Sequence, residues 1–533
     1  MKKWLYVCLC ISLLMSLDVG KEPTASAAKT QQVFRIGVEH LPESLDPALA
    51  EPGSSNTIVK GLFEGLVRLN NWGQAVPGMA EKWTVSDDGK TYTFTLRAGA
   101  KWSNQQPVKA SDFEYAWKRI LAPSANNLYA LSLFVIAGAE DYNSGKLKDP
   151  AKIGIKALNQ NTLQVKLKQQ TPDFLQILTH SIYLPVHAET VKANKNWGNT
   201  NKTMVTNGPF KLKSWNDGEV VLVKNPDYYM AQEVSFSEVR VLVPRLMLDG
   251  INTVTSAYLM NNVDWVGGEE NIDYEGLDGK TSRDLIQMPY GSTYFYQFNL
   301  SKAPFKNLKI RKALAMAIDR EALPYGIPAY GFVATGIRGT KTEFRSEISD
   351  TAYFKEDQAQ AGQLLKEGLK EEGLKTLPSF SILINEGDGH KTIAQAVIGD
   401  WKKNLGIHVS IEVKSFGELI DRRHKGNYSI ARAGWGADYN DPATFLEYFT
   451  SWSGVNDSGW SSPQYDNFIK QAQQIFDNRK RMQLLANAEK VLIDQMVIVP
   501  LYYYVVDVLR KPDIKNVYID TDRSVIFSRG YFQ

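Results

Sequence analysis

Cysteine is almost missing from this chain. Only Cys8 and Cys10 occur among the 533 residues, and both lie near the start. If this leader is removed on export, as argued below, the mature chain has no thiol. That excludes disulfides, thiolate nucleophiles and cysteine-based metal sites.

Long apolar runs and a charge bias are missing as well. No uninterrupted apolar run reaches the roughly 18 residues that a membrane-spanning helix needs. The 61 Lys and Arg residues nearly balance the 58 Asp and Glu residues, so the net charge is only +3. A nucleic-acid-binding protein of this size would carry a strong basic bias. We therefore predict no nucleic-acid partner.

Short motifs of catalytic sites are also absent. The six His residues form no H-E-x-x-H spacing, and there is no G-x-S-x-G nucleophile elbow. Two Gly-Lys-Thr triplets, at 89–91 and 279–281, lack the upstream glycine of a phosphate-binding loop, since Thr84 and Tyr274 stand there. These absences favour a protein that binds a ligand without transforming it. We predict no enzymatic activity, no cofactor and no metal site.

The first 28 residues are typical of an export signal. Lys2 and Lys3 precede an apolar segment over 4–17, and small residues at 25–27 suit a signal peptidase. We expect cleavage near Ala27 or Ala28. Cys8 and Cys10 lie inside the apolar segment, whereas a lipoprotein cysteine stands at its end after small residues. We therefore expect no lipid anchor.

The rest of the chain mixes strand and helix signals and is too long for one hydrophobic core, which predicts an α/β protein of two or three domains. Strand alternation occurs at 91–97, 162–167 and 220–223, and Asp87-Asp88-Gly89 is a hairpin signal. Helical periodicity occurs at 110–121, 308–318, 358–369, 391–405 and 465–496.

Local signals predict where some of these elements begin and end. Ser111 with Glu114 three residues later predicts a capping box for the helix over 110–121. Gly406 predicts a helix end after residue 405. Pro500 follows the last helical stretch, and the apolar run over 501–509 predicts a buried strand.

Several segments together resemble one protein family. They are SLDP (44–47), LFEGL (62–66), PGMAEKW (77–83), YTFTLR (92–97), KWS (101–103), PVKASDF (107–113), TNGPFKL (206–212), NPDYY (225–229), APF (303–305), ARAGWGADYNDP (431–442) and VPLYYY (499–504). The chain resembles the extracytoplasmic solute-binding proteins of family 5, and among them the oligopeptide binders that serve ABC importers. The resemblance covers nearly the whole mature chain.

The resemblance implies the two-lobed α/β fold of periplasmic binding proteins (type II, cluster C-like) with an extra inserted domain. Such a protein is expected to be a monomer that closes on a peptide, delivers it to an ABC permease, and meets the membrane only through that permease. Lobe crossovers are expected near Tyr290 and Tyr504. The implied boundaries are a signal peptide at 1–28, lobe I at 29–63, 189–288 and 506–533, the inserted domain at 64–188, and lobe II at 289–505.

The resemblance also implies how each end of a peptide is held. Asp438 matches the partner of the peptide α-ammonium. Gly434, Trp435 and Gly436 match one backbone edge, and the region of Glu51 and Gly53 matches the other. The basic residues that match positions for the peptide carboxylate are Arg432, Arg423, His424 and His390. The aromatic residues that match side-chain pockets are Trp435, Tyr129, Tyr294, Tyr296, Phe416 and Tyr504.

Some positions depart from the family pattern. Pro52 lacks an amide hydrogen, so one backbone bond to a peptide is expected to be lost or shifted there. Phe416 stands where a second Trp is common, which removes a polar N–H from that pocket. Gly436 replaces a usual Cys.

Other functions stay open at this point. A family member could bind a signalling peptide, a cell-wall peptide, haem or nickel. A secreted hydrolase could use Asp438 with Asp441 as its second carboxylate. An interaction or chaperone protein without import is a further alternative.

Overall fold

The computed structural model describes residues 32–70, 73–247, 251–275, 277–279, 281–348, 353–387 and 389–533. The predicted export signal, its cleavage site and both cysteines lie outside the described residues. Within the described ranges, no helix is both long enough and apolar enough to cross a bilayer.

Short strands and helices alternate through the first half of the chain. The strands are β1 (Val33–Gly37), β2 (Val67–Leu69), β3 (Ala75–Pro77), β4 (Ala80–Val85), β5 (Thr91–Leu96), β6 (Ile155–Asn159), β7 (Thr162–Lys166), β8 (Phe210–Trp215), β9 (Glu219–Lys224), β10 (Glu238–Leu242) and β11 (Trp265–Val266). The helices are α1 (Ser54–Leu62), α2 (Ala110–Leu121), α3 (Ala139–Asn143), α4 (Phe174–Ile177), α5 (Ala188–Ala193), α6 (Pro244–Met247) and α7 (Val254–Leu259).

The second half has longer elements, followed by short C-terminal strands. The strands are β12 (Leu285–Phe298), β13 (Ile327–Pro328), β14 (Ser381–Asn385), β15 (Ser410–Lys414), β16 (Ile430–Gly436), β17 (Ile498–Arg510), β18 (Ile514–Lys515), β19 (Tyr518–Ile519), β20 (Val525–Ile526) and β21 (Tyr531–Phe532). The helices are α8 (Leu308–Met316), α9 (Phe344–Glu347), α10 (Gln358–Glu371), α11 (His390–Leu405), α12 (Phe416–His424), α13 (Ala443–Leu446), α14 (Pro463–Ala472) and α15 (Asn478–Asp494).

Single turns of 3-10 helix connect several of these elements. They are Pro123–Ala125, Leu128–Leu133, Pro150–Lys152, Ser181–Tyr183, Trp197–Asn199, Ala231–Glu233, Thr281–Arg283 and Glu447–Phe449.

One large mixed sheet runs through both halves of the chain, which confirms the α/β class. Its strand order is β15-β14-β16-β12-β17-β11-β1-β10-β9-β8, and β13 also pairs with β17. A separate four-stranded sheet, in the order β4-β5-β7-β6, packs against α2. Phe113 and Trp117 of α2 are fully buried there.

The two long strands β12 and β17 join the halves. They pair from Leu285 to Pro289 and again from Thr293 to Gln297, with a register shift between these stretches. Gly291 lies in the shift with φ of 72°, a backbone conformation that suits glycine. The irregularity falls beside Tyr290, where a crossover is expected.

The buried apolar residues form separate cores. One core joins β1 and α1 to residues near the C-terminus, such as Val525 and Phe527. Two further cores consist of residues between Tyr294 and Tyr503. Strand β1 and the C-terminal segment therefore belong to the same packed body, while the stretch between β12 and β17 packs largely on itself.

The sequence predictions of strands and helices are largely confirmed, with differences at three places. Helix α2 has the predicted bounds, but its N-cap is Lys109, not Ser111. Asp112 completes the cap, because its carboxylate accepts the Lys109 amide at 2.9 Å and the Trp102 indole N–H at 2.9 Å. Glu114 is bonded instead to Lys118.

The helical stretch over 465–496 is two helices, α14 and α15. The break has a local cause, since the Asp477 side chain accepts the Lys480 amide and caps α15. Pro500 does not precede the strand predicted over 501–509. It lies inside β17, in register with Phe295.

Candidate functional site

A cleft with a volume of about 740 Å³ lies between the two halves of the chain. The first half and the C-terminal segment contribute Pro52, Tyr129, Leu131, His180, Glu269 and Arg523. The predicted lobe II contributes Tyr290, Ser292, Gly436, Ala437, Asp438 and Tyr439. The cleft therefore brings together Asp438, Gly436 and Tyr129, which the sequence comparison placed in one site.

Strand β16 presents a free edge next to this cleft. In the part of the chain that the structure describes, β14 pairs with β16 only at Ile430 and Ala431. On its other side β16 pairs with β12 along its whole length. The stretch from residue 433 to 436 thus has one open side.

The backbone groups of Gly434 and Gly436 point to that open side. The Ala437 amide donates to Gly291, and the Asn299 amide donates to Ser429. Because alternate residues face the partner strand in an antiparallel pair, the odd-numbered residues of β16 face β12. Gly434 and Gly436 therefore direct N–H and C=O away from it, which is the arrangement that an added strand requires.

Asp438 follows directly after this strand. Its amide donates to the Thr444 hydroxyl at 3.2 Å, and its carboxylate lies 3.3 Å from that hydroxyl. The Asp438 side chain is exposed to the solvent of the open cleft. The protein around it still desolvates the carboxyl in part and raises its pKa, while the hydrogen bond from Thr444 acts in the opposite direction. No ion pair involving Asp438 occurs among the described residues. The carboxylate is thus positioned to receive an external cation.

Trp435 is fixed beside Asp438 by polar and aromatic contacts. Its indole N–H donates to the Thr444 carbonyl at 2.8 Å, and its ring meets Tyr448 edge-on at 4.9 Å. The side chain is partly exposed and can form a rigid wall. Phe416, at the start of α12, is 59% exposed, so its ring is available but does not line the cleft described above.

Arg432 is held above a cluster of tyrosines at the other end of β16. Its guanidinium lies 5.1 Å from the Tyr294 ring, donates to the Tyr504 hydroxyl at 3.2 Å, and reaches Asn385 at 3.3 Å. Every one of these partners is neutral. The charge of Arg432 therefore remains available to an anion.

His390 lies against the same cluster, with its ring 5.7 Å from the Tyr294 ring. Burial, followed by the charge of Arg432, lowers the pKa of His390 to about 4. At neutral pH this imidazole is uncharged, so it can donate or accept a hydrogen bond but adds no positive charge. Tyr296, which the sequence also suggested, is fully buried.

The Glu51–Gly53 region differs from the expected second backbone edge, although Pro52 lines the cleft. Gly53 is the N-cap of α1, and its amide donates to the Asp522 carbonyl at 3.0 Å. The Gly53 carbonyl accepts the Thr57 amide, and the Glu51 carbonyl accepts the Asn56 amide. The Gly53 amide and the carbonyls of Glu51 and Gly53 therefore already have hydrogen-bond partners at the start of α1 and in Asp522, and they are not free to pair with a peptide in this conformation.

Arg423 and His424 have a common partner outside the cleft. Arg423 is buried, lies 3.2 Å from Asp457, and bonds the Tyr448 hydroxyl. His424 bonds the same Asp457 at 2.6 Å. Arg423 and His424 thus end helix α12 and share Asp457 as a partner. Arg432 is therefore the better placed of the two arginines.

Asp441 does not have the geometry of a catalytic carboxylate. It is fully buried and accepts hydrogen bonds from Arg481 at 2.7 and 2.8 Å and from Arg338 at 2.8 Å. Burial alone would raise its pKa, but the charges of Arg481 and Arg338 outweigh burial, and the pKa lies below its usual range. Within the described residues, no set of three or more His, Cys, Asp or Glu side chains is grouped to hold a metal ion.

Some cleft residues could not be found from the sequence. Glu269 and Arg523 come from turns far apart in the chain, and Arg523 lies 4.9 Å from the Tyr290 ring. Neither residue stands in a recognisable motif. The sequence could have suggested Thr444 as a partner of Asp438, because it lies six residues later at the start of helix α13.

The chain as a whole matches a known protein family. The model of the bacterial extracellular solute-binding proteins, family 5 middle region, matches residues 74–457. The oligopeptide-binding protein OppA of Bacillus subtilis (strain 168) is 35% identical over 558 residues, which cover 100% of both chains.

Solved structures share the fold and differ in how well they superpose. The unliganded open form of the periplasmic murein tripeptide binding protein MppA has a TM-score of 0.83 at 30% identity, covering 94% of this chain and 98% of its own. Haemophilus influenzae OppA in complex with the peptide RPPGFSPFR has a TM-score of 0.64 at 30% identity, covering 94% and 99%. The two-lobed fold is thereby confirmed. At equal identity and nearly equal coverage, this chain superposes better on the open form than on the peptide complex.

Proposed function

The chain belongs to the bacterial extracellular solute-binding proteins of family 5, and we propose that it captures oligopeptides outside the cytoplasm and delivers them to the permease of an ABC importer. One observation carries the proposal. The free edge of β16 has a carboxylate without a cationic partner, Asp438, at one end and a guanidinium with neutral partners, Arg432, near the other. A peptide has the complementary order of ammonium, backbone and carboxylate.

The peptide ammonium pairs with Asp438 in this proposal. A charge-assisted hydrogen bond is among the stronger polar contacts, especially where water is excluded. The Thr444 hydroxyl donates to the carboxylate, and the Trp435 indole N–H donates to the carbonyl of the same Thr444. A ligand without a free ammonium would leave this carboxylate desolvated and unpaired on closure, which is costly.

The peptide backbone adds to β16 as an extra strand, with Gly434 and Gly436 as its partners. Gly436 is four residue steps from Arg432, or about 14 Å at the rise of an antiparallel strand. An extended peptide of about four residues spans that distance. Recognition through main-chain groups makes binding tolerant of side-chain identity.

The two lobes close on the bound peptide. We assign lobe I to residues 29–63, 189–288 and 506–533, the inserted domain to 64–188 and lobe II to 289–505. The separate hydrophobic cores and the open arrangement of the cleft support this division. The register shift between Pro289 and Thr293 is the natural position for a hinge.

The protein works as an exported, soluble monomer in this proposal. The leader is cleaved, no lipid is attached, and contact with the membrane is made only through the permease. It carries no cofactor and performs no catalysis. The pairing of Asp441 with two arginines removes the second carboxylate that a hydrolase would need.

Mass spectrometry of ligand carried through purification tests the proposal. The purified protein, denatured and extracted, is expected to release a mixture of short peptides with free N-termini. Release of haem, of nickel or of a single non-peptide compound would contradict it.

A further inference from the structure

A second cavity of about 530 Å³ lies beside the tyrosine cluster that holds Arg432. Its lining includes Tyr274, Gln287, Tyr325, His390, Tyr504 and Asp507. Tyr504 also meets Tyr290, a wall of the first cleft, with ring centroids 5.9 Å apart. The Tyr290–Tyr504 pair thus separates the two spaces.

Asp507 is the carboxylate of this cavity. Within β17, apolar residues flank Asp507 on both sides. Asp507 is in register with Gln287 of β12. One carboxylate oxygen accepts from the Tyr274 hydroxyl, and the other accepts from the Gln287 amide at 3.0 Å. Both donors are neutral. Among the described residues, no Lys, Arg or His forms an ion pair with Asp507.

Tyrosine rings form the walls around this carboxylate. Tyr274 and Tyr325 are 55% and 44% exposed, which is unusual for large aromatic side chains. Burial and the bond to Asp507 raise the pKa of the Tyr274 hydroxyl to about 12, so it stays a donor and the negative charge stays on Asp507. Exposed aromatic faces around a carboxylate are a typical environment for an organic cation.

His390 and Tyr504 also line the cavity, and Arg432 lies behind Tyr504. His390 is neutral at pH 7 because its pKa is about 4. Arg432, bonded to Tyr504, is the nearby positive charge. A ligand that fits both ends carries an anion close to Arg432 and a cation several ångströms away. A peptide that ends in or near a basic residue has this pattern.

We propose that this cavity is a subsite for a cationic side chain of the bound peptide, with Asp507 as the residue that selects lysine or arginine and Tyr274 and Tyr325 as its walls. The inference rests on the proposed function, since it concerns one position of the peptide. The occupant is a primary ammonium or a guanidinium on an aliphatic stem. Its stem packs on the tyrosine rings while its charge reaches the Asp507 carboxylate.

A lysine scan of tetraalanine tests the subsite. Each position is replaced in turn by lysine or by norleucine, and each affinity is measured by isothermal titration calorimetry. At one position lysine is expected to bind about tenfold more tightly than norleucine, on the scale of one desolvated cation–aromatic contact with a charge partner. Asp507→Asn should abolish this advantage and leave the affinity for tetraalanine unchanged.

Control variants separate charge from fold. Asp507→Glu keeps the charge and should keep the preference for lysine. Asp494→Asn removes an exposed acid of α15 that pairs with Lys490, and it should change neither affinity. These variants also show whether loss of the preference reflects Asp507 or a general loss of negative charge.

The scan also separates this inference from the proposed function. Tight binding of tetraalanine with no lysine advantage at any position of the wild-type scan would overturn the subsite and leave the peptide receptor intact. A lysine advantage that survives Asp507→Asn would overturn the role of Asp507. Failure of every peptide to bind the wild-type protein would refute both.

Discussion

The guanidinium of Arg432 donates to the hydroxyl of Tyr504 at 3.2 Å, and this bond links β16 to β17 across the intervening strand β12. The strand with the free edge is thereby coupled to the strand that joins the lobes.

Arg432 should determine the preference for a free peptide carboxylate. Arg432→Gln is expected to weaken binding of a free tetrapeptide by about 2 kcal/mol, at the lower end of the range for losing one partner of a desolvated charge pair. The same peptide with a C-terminal amide should bind the wild-type and variant proteins alike. Calorimetry of both peptides measures the difference.

Arg423 provides the matched comparison for Arg432. Its charge is paired with Asp457, so Arg423→Gln should lower the free energy of unfolding and keep the preference for the free carboxylate. Loss of that preference in Arg423→Gln, with retention in Arg432→Gln, would reverse the assignment made here.

Asp441 should be a major contributor to stability. Its side chain is fully buried and forms ion pairs with Arg338 and Arg481. Removing one partner of a buried ion pair typically costs about 3–5 kcal/mol. Asp441→Asn is therefore expected to shift urea-induced unfolding, followed by tryptophan fluorescence, to lower urea concentration. Asp494→Asn, which removes an exposed acid, should change the unfolding free energy by less than about 1 kcal/mol. Equal effects of the two variants would contradict the account of Asp441.

Parts of the fold were predictable because their signals are local. The hairpin turn at Gly89, with φ of 69°, and the helix end at Gly406, also with φ of 69°, follow from glycine's tolerance of that backbone conformation. The family resemblance of the ARAGWGADYNDP segment, and not a local signal, implied a backbone edge at residues 434–436 followed by Asp438, and this is the order found at the end of β16.

Other parts depend on partners that are distant in sequence. The N-cap of α2 is at Lys109 because Asp112 is also held by Trp102, and no capping pattern contains that contact. Arg423 resembled a ligand residue until its partner Asp457 was known. Asp507 had a visible signal, a lone acid within an apolar strand, but only the fold brings Tyr274 to it.

Peptide binding should close the lobes. The irregular pairing near Gly291 and the better superposition on an open form predict rotation about the β12–β17 crossover. Small-angle X-ray scattering should show a smaller radius of gyration at saturating peptide. Asp438→Asn at the same peptide concentration should stay close to the unliganded curve. An unchanged radius for the saturated wild-type protein would count against closure.

The mature protein should begin just after the predicted signal. N-terminal sequencing of the exported protein is expected to give Ala28 or Lys29 as the first residue, and palmitate labelling should be negative. Stable membrane anchoring takes two signals, and neither is predicted here. A mature N-terminus at a diacylglyceryl-modified Cys8 or Cys10 would instead indicate a tethered receptor.

The central claim is that Asp438 binds the ammonium of a free peptide. Calorimetry with one tetrapeptide, N-terminally free or acetylated, on wild-type protein and Asp438→Asn tests it most directly. The free peptide should lose about 2–4 kcal/mol of binding free energy in Asp438→Asn, and acetylation should cost the wild-type protein a similar amount. Partial desolvation by the cleft walls raises the pKa of Asp438. Wild-type affinity should therefore fall on acidification as the carboxylate takes up its proton, from a higher pH than an ordinary Asp would need. Asp438→Asn should lack this dependence. Equal affinity of the wild-type protein for the free and acetylated peptides would contradict the account.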